Sequence, residues 1–229
     1  MTKIFKHVFD SKYQFPKLAE TKINGMRFYR VDGKLFPSVT TILSIQPKEG
    51  LEEWRNSVGH EAAAWEMRRA ATRGTKFHKI VEAYLKNQSI DVFSRDILPM
   101  GLFNLVERQI DRMDNICTLE ATMCSRSFEI AGRVDTVGDF DGKRSIIDFK
   151  SANRAKKDDQ IKTHAIQETA YSVMWEEMTD ETIEQIVTIV ACENGESQTI
   201  IKKPHDYFDE LRKCVSDFKN YQKSRIVMN

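Results

Sequence analysis

Five Asp-x-Lys tripeptides stand in this sequence, at 10–12, 32–34, 141–143, 148–150 and 217–219. The residue types are ordinary, so the element that carries each pair decides whether it can do chemistry. On a strand, residues i and i+2 share a face, whereas on a helix they lie about 200° apart. Asp148 and Lys150 follow the β-forming run Ser145-Ile146-Ile147, so both point one way while Phe149 points into the opposite layer. Asp135, in "AGRVDTV", lies one hairpin earlier. Two carboxylates and an ammonium can then converge near one end of a twisted sheet. Hard oxygen ligands of this kind suit Mg²⁺ or Mn²⁺. The ammonium can orient or activate an attacking water, or neutralise charge on a pentacovalent phosphate. That chemistry is phosphodiester hydrolysis. A surface hairpin with a cross-strand ion pair explains the same residues equally well at this level.

Other copies of the tripeptide have plainer settings. Those at 32–34 and 141–143 sit at the turns Asp32-Gly33 and Asp141-Gly142. Asp217 and Lys219 fall inside a helical pattern with Phe208, Leu211, Val215 and Phe218 at spacings of three and four. They cannot aim at one phosphate.

The elements that must position the pair can be read along the chain. Residues 23–36 alternate as a hairpin around Asp32-Gly33, and "PSVTTILS" opens a helix at Pro37 or Ser38. Residues 50–87 are Ala-rich and helical in spacing, with breaks expected at Gly59 and Gly74. A helix is expected at 101–115 and strands from 117 onward. Residues 160–178 read as a helix, a hairpin turns at Asn194-Gly195, and Pro204 starts a last helix. No linker or repeat divides the chain. The expected fold is α/β, a small mixed β-sheet flanked by helices, in a single domain spanning 1–229. Residues 1–115 would form a β-hairpin plus a helical wall or arch, and residues 116–229 the catalytic sheet with its flanking helices.

Composition sets the outer limits. Of 229 residues 41% are hydrophobic and 30% charged, which fits a soluble globular protein. No apolar run approaches the roughly 18–20 residues that cross a bilayer, so no membrane partner is expected. The N-terminus carries no long apolar segment, so no secretion signal and a cytoplasmic location, in a bacterial or phage-infected cell, are expected. Cys117, Cys124, Cys192 and Cys214 are scattered, which argues against a zinc site. Net charge is only +1, so any contact with a polyanion must come from local patches. Arg73 and Lys76, with Arg68, Arg69 and Lys79, make one patch; Arg154, Lys156 and Lys157 make another; Arg133 sits beside Asp135. Any one of these charges taken singly reads first as solubilising. Ser38 can hold a phosphate at a helix start or simply cap it. Trp54, Trp65, Phe77 and Tyr84 offer either stacking surfaces or core.

Four stretches in order carry a resemblance. "GRVD" at 132–135 followed by "IIDFKSA" at 146–152 resembles the core of the PD-(D/E)xK nucleases, a restriction-endonuclease-like fold. "RGTKFH" at 73–78 and "IQETAY" at 166–171 resemble the upstream histidine motif and the Gln-x-x-x-Tyr motif of the RecB-like exonuclease branch. "VDGKLFPSVTTILS" and "LEEWRNSVG" are similar to the N-terminal part of small exonucleases related to the mitochondrial genome maintenance exonuclease and its phage relatives. The resemblance implies that His78, Asp135 and Asp148, with the backbone carbonyl of Phe149, hold one or two Mg²⁺ or Mn²⁺ ions. Glu120 matches an acidic position either linked to the metal or standing behind its ligands. Lys150 would serve the attacking water, and Gln167 and Tyr171 would position the strand from one helix face. The implied activity is a DNA exonuclease acting on single strands, tails or flaps in replication, repair or recombination. It would work alone or beside a separate helicase, polymerase or recombination protein. A flap or structure-specific endonuclease, or a non-catalytic DNA-binding subunit, would share these features. The iron–sulfur members of the branch have an upstream cysteine and three more clustered near the C-terminus, an arrangement this chain lacks, so no cluster is expected. There is no Walker A sequence, so no ATP use is expected.

Overall fold

A computed structural model describes residues 3–8, 13–47 and 50–227. The Asp-x-Lys at 10–12 lies outside them. Strands β1 (Ala19–Ile23), β2 (Met26–Val31) and β3 (Lys34–Pro37) form an antiparallel sheet in that order. The sequence reading found its second turn, Asp32-Gly33, and missed β1, which returns through Asn24-Gly25. Helix α1 (Val39–Ser44) follows, capped by Ser38, whose Oγ accepts the Thr41 N–H at 3.0 Å.

Helices α2 (Leu51–Val58) and α3 (His60–Leu85) come next. Gly59, at φ 87°, separates them in a conformation that glycine adopts without strain. The expected break at Gly74 is corrected: α3 runs through it without interruption. Glycine lowers helix propensity by only about 1 kcal/mol. The neighbouring turns bury Phe77, Ile80, Val81 and Tyr84, which outweighs that cost.

Helix α4 (Ile97–Ile110) leads into the second sheet, whose strand order is β4 (Met113–Ser125), β5 (Ile130–Phe140), β6 (Lys143–Ala152), β7 (Gln185–Cys192) and β8 (Ser197–Lys202). All neighbours are antiparallel except β6 and β7, which are parallel and joined through α5 (Asp158–Thr179). The helix placed at 101–115 therefore ends five residues early, and β4 starts at 113. Residues Met113, Ile116 and Cys117 are buried in the sheet rather than on a helical stripe. After a 3₁₀ turn at Pro204–Tyr207, α6 (Phe208–Val227) closes the described chain. The result is the expected α/β architecture, a five-stranded mixed sheet between helices.

Two hydrophobic cores sandwich this sheet. On one face Phe77, Ile80, Leu102, Phe103 and Val106 of α3 and α4 pack on Ile147, Phe149 and Ile189. On the other, Ala170, Met174 and Trp175 of α5 and Leu211, Val215 and Phe218 of α6 pack on Val137, Ile146 and Ile186. The even-numbered residues of β6 therefore face α5, and Asp148 and Lys150 are among them. The second Asp-Phe-Lys lies in α6, where Lys219 reaches Glu129 at 3.0 Å.

Candidate metal centre and active site

The site lies where two strands part. The β5–β6 ladder runs from Phe140–Lys143 to Thr136–Ile147 and stops. Beyond that point β5 continues on β4 alone and β6 on β7 alone. Parting strands leave backbone groups without ladder partners, and a buried N–H must find one elsewhere. Here the Phe149 N–H donates to Asp135 Oδ2 at 3.0 Å. The carboxylate thus closes the fork that the strands open.

Three elements converge on it. From α3, His78 brings Nδ1 to 3.3 Å from Asp135 Oδ2, while its neighbour Phe77 is fully buried and fixes the helix to the sheet. From β4, Glu120 stands abreast of Asp135, between the paired positions Leu119–Thr136 and Ala121–Val134. One ligand atom each from His78, Glu120 and Asp135 lies within 4.8 Å of the others. From β6, Asp148 is 2 % exposed and contacts the Lys150 ammonium. Its Oδ2 has no aligned hydrogen bond, so the contact is charge against charge. Asp148 is outside the three-residue group whose donors already face one another.

The electrostatics suit a site that binds a cation. Burial, and then the nearby Asp148 carboxylate, push the Asp135 carboxyl above its ordinary range. Burial and then Asp135 do the same to Glu120. Burial works against the Lys150 ammonium, yet Asp148 and Asp135 outweigh it and hold its pKa above the usual lysine value. Clustered carboxylates that repel one another are relieved by a cation. A donor set of carboxylates and one imidazole fits Mg²⁺ or Mn²⁺, with the imidazole favouring Mn²⁺. The unaligned buried oxygen of Asp148 fits the same need.

A cleft of about 390 Å³ opens over His78, Glu120 and Asp135, with Asp148 and Lys150 behind its lining. Its walls are α3, through Gly74, Thr75, His78, Lys79 and Glu82, and the β2–α1 segment, through Arg27, Tyr29, Ser38 and Thr40. Gln167 and Tyr171 project into it from α5, with Gln167 Nε2 donating to the Tyr171 hydroxyl at 3.3 Å. Tyr171 packs against Gly132: a Cβ there would come within 2.6 Å of its ring. Burial first of all raises the Tyr171 phenol, so it stays protonated at any working pH.

The predicted DNA contacts divide by placement. Arg133 is exposed on the cleft rim, where its Nε forms an ion pair with Glu120 Oε2 at 2.9 Å. Lys76 is exposed and paired with Asp96. Arg154 and Lys157 are exposed, while Lys156 is half-buried, with burial and then Lys150 lowering its pKa. Ser38 is buried, and its hydroxyl is occupied by the cap and by Thr41. Arg73 requires a correction. It is buried, and its guanidinium is consumed by Glu193, by Asn153 at 2.7 Å and by Ser151 at 3.2 Å, so it ties α3 to β6 and β7 instead of facing solvent. Phe77 and Tyr84 are core; Trp65 is 56 % exposed but stacks under Arg69, away from the His78 face of the helix.

Sequence reasoning passed over Gly132, Arg27 and Glu168. "GRVD" held the glycine, but only the fold shows what presses on it. Arg27 sits in a hairpin with no chemical pattern, and Glu168 lies inside "IQETAY" between the two residues the motif names.

Comparison with known proteins supplies the family. The family model described as the PD-(D/E)XK nuclease superfamily matches residues 49–223, well over half of the chain. A segment of 128 residues is 24% identical to mitochondrial genome maintenance exonuclease 1 of Mus musculus, covering 52% of this chain and 38% of that protein. The chain thus matches well under half the length of that relative. With a matching sheet and helices, the chain belongs to the PD-(D/E)XK nuclease superfamily.

Proposed function

We propose that this protein is a metal-dependent DNA exonuclease of the RecB-like kind, one nuclease domain that degrades single strands or single-stranded tails. The observation that carries the reading is the fork between β5 and β6, which gathers Asp135, Asp148 and Lys150 under His78 and Glu120. His78, Glu120, Asp135 and Asp148, with the Phe149 carbonyl, would hold one or two Mg²⁺ or Mn²⁺ ions. Such ions polarise a phosphate and lower the pKa of bound water.

The chain's own groups do the rest. Lys150, held protonated by two carboxylates, acts as a donor that neutralises charge on the reacting phosphate and orients the water. Gln167 and Tyr171 offer polar groups to the nucleotide beside the reacting bond. Arg27, Lys79 and Arg133 hold flanking backbone phosphates on the rim. A cleft of small-ligand size between two walls suits one strand better than a duplex. Such an activity belongs to DNA replication, repair or recombination, beside a helicase, polymerase or recombination protein.

The test uses linear single strands labelled at the 5′ or 3′ end, and a single-stranded circle, in Mg²⁺ and in Mn²⁺. Loss of the linear strands with the circle intact is expected, and the label lost first gives the polarity. A cut circle replaces the exonuclease by an endonuclease. No cleavage, with binding retained, leaves a non-catalytic DNA-binding subunit.

A further inference from the structure

Behind the cleft, between α5 and the sheet, lies a carboxyl for which the proposed hydrolysis has no use. Glu168 is 1 % exposed and does not line the cleft. Its Oε1 accepts the hydroxyl of Thr188. Thr188 stands directly beside Asp148 in the parallel β6–β7 ladder. The Glu168 carboxyl is therefore one strand away from the Asp148–Lys150 pair, on the face of β6 that α5 covers. One helical turn earlier His164 lies close to the same pair, its Nδ1 buried without a hydrogen-bond partner. A polar layer thus underlies the pair.

Packing alone does not ask for it. The neighbours of Glu168 on α5 include the buried apolar residues Ala165, Ile166 and Ala170. Burying a carboxyl with one hydroxyl partner is unfavourable against a fitting apolar side chain. Groups kept at such a cost are found where they serve a site. Lys150 has the matching need. Its ammonium is held by Asp148, and Asp148 is also a proposed ligand of the cation. An ammonium with that one anchor would be left loose when the carboxylate turns to an ion.

We propose that Glu168 is a positioning residue that takes up the Lys150 ammonium as a second anchor when Asp148 is engaged by the cation. Beforehand Lys150 pairs with Asp148, and Glu168 with Thr188. The inference rests on reading Asp148 and Lys150 as the hydrolytic pair. Glu168 touches no substrate and acts through Lys150 alone. Its carbonyl-type oxygen is the working part, so glutamine can replace it.

The parent protein is compared with Glu168→Gln and Glu168→Met, two side chains of similar length. Glu168→Met is expected to keep or raise Tm, keep KM and the half-saturating Mn²⁺ concentration within about twofold, and lower kcat at least tenfold. Glu168→Gln is expected to restore kcat to within about threefold of the parent. A Met variant with parental kcat, or with KM and Mn²⁺ requirement shifted in place of kcat, overturns the inference. So does a Gln variant no better than Met. Should the Met variant not fold, Glu168→Ala is assayed with and without formate: a low kcat restored by formate supports the anchor, and a kcat that is parental or indifferent to formate removes it. Lys150→Ala runs in parallel. An active Lys150→Ala protein defeats the functional reading itself, whereas an inactive one beside a fully active Glu168→Met defeats only this inference.

Discussion

Glu120 stands across from Asp135 with its backbone in the left-handed region, at φ 51°, in the middle of the β4 strand. A residue with a side chain is uncommon there and costs roughly 1–2 kcal/mol. The distortion takes Glu120 out of the regular ladder and sets its carboxylate beside Asp135 and His78. Strain at Glu120 is what a site, rather than a sheet, would require.

Glu120 can therefore be tested for strain and ligand role separately. Glu120→Gly should be about 1 kcal/mol more stable than Glu120→Ala, because glycine accepts the positive φ. Both should need several-fold more Mn²⁺ for the same thermal shift or the same rate. Equal stability of the two variants would remove the strain, and an unchanged Mn²⁺ requirement would remove the ligand.

Gly132→Ala places a methyl 2.6 Å from the Tyr171 ring, closer than carbon atoms tolerate, so the ring must move. A loss of roughly 1–3 kcal/mol is expected from the overpacking. Because Tyr171 faces the cleft, KM for a single-stranded oligonucleotide should rise with the loss of Tm. Tyr171→Phe, which keeps the ring, should leave the unfolding free energy within about 0.5 kcal/mol of the parent.

Arg73 and Arg133 should behave as opposites. Arg73→Ala breaks a buried ion pair with Glu193 and should cost roughly 3 kcal/mol by denaturant melting, with no change in the salt dependence of DNA binding. Arg133→Ala should leave stability nearly unchanged and reduce the slope of log K against log salt by about 1. An altered salt slope in Arg73→Ala would return that residue to the phosphate track.

His164 makes the stability depend on pH in a defined window. Burial, and then Lys150, push its imidazole down to about 4, below the ordinary value near 6.5. An unfolded chain therefore binds a proton here before the folded one does. The contribution is fully present above about pH 6.5 and is lost as pH falls toward 4. The carboxyls of Asp135, Glu120 and Glu168, raised by burial, work in the other direction, so a single melting curve mixes the two. The difference between the parent and His164→Gln isolates the histidine. Between pH 7 and 4 that difference should change by roughly 3 kcal/mol, the parent losing more. Parallel pH profiles would place His164 in a solvated setting.

How much of this was legible beforehand depended on the kind of interaction. Asp148 and Lys150 could be separated from Asp217 and Lys219 because the difference is one of periodicity, which a sequence carries openly. Turns at Asp32-Gly33, Asp141-Gly142 and Asn194-Gly195 were readable for the same reason, since their backbone demands special residues. Gly74 misled because helix propensity is local and weak, while the packing of Phe77 and Ile80 that overrides it comes from the distant strands β6 and β7. Arg73 misled because a basic residue beside other basic residues looks exposed. Its partners, Ser151, Asn153 and Glu193, lie about 80 to 120 positions away. Glu168 was invisible in principle, since what makes it unusual is its burial, which the tertiary fold creates.

The central claim is that the fork between β5 and β6 is a metal-dependent hydrolytic centre. Its most direct test is the rate at which a 3′-labelled linear single strand is degraded by the parent and by Lys150→Ala, each in Mn²⁺ and in excess chelator, after both proteins are shown to melt alike. Degradation by the parent in Mn²⁺, none in chelator and a loss of at least a hundredfold in the variant are the expected results. Degradation that survives the chelator, or a variant as fast as the parent, would contradict the claim.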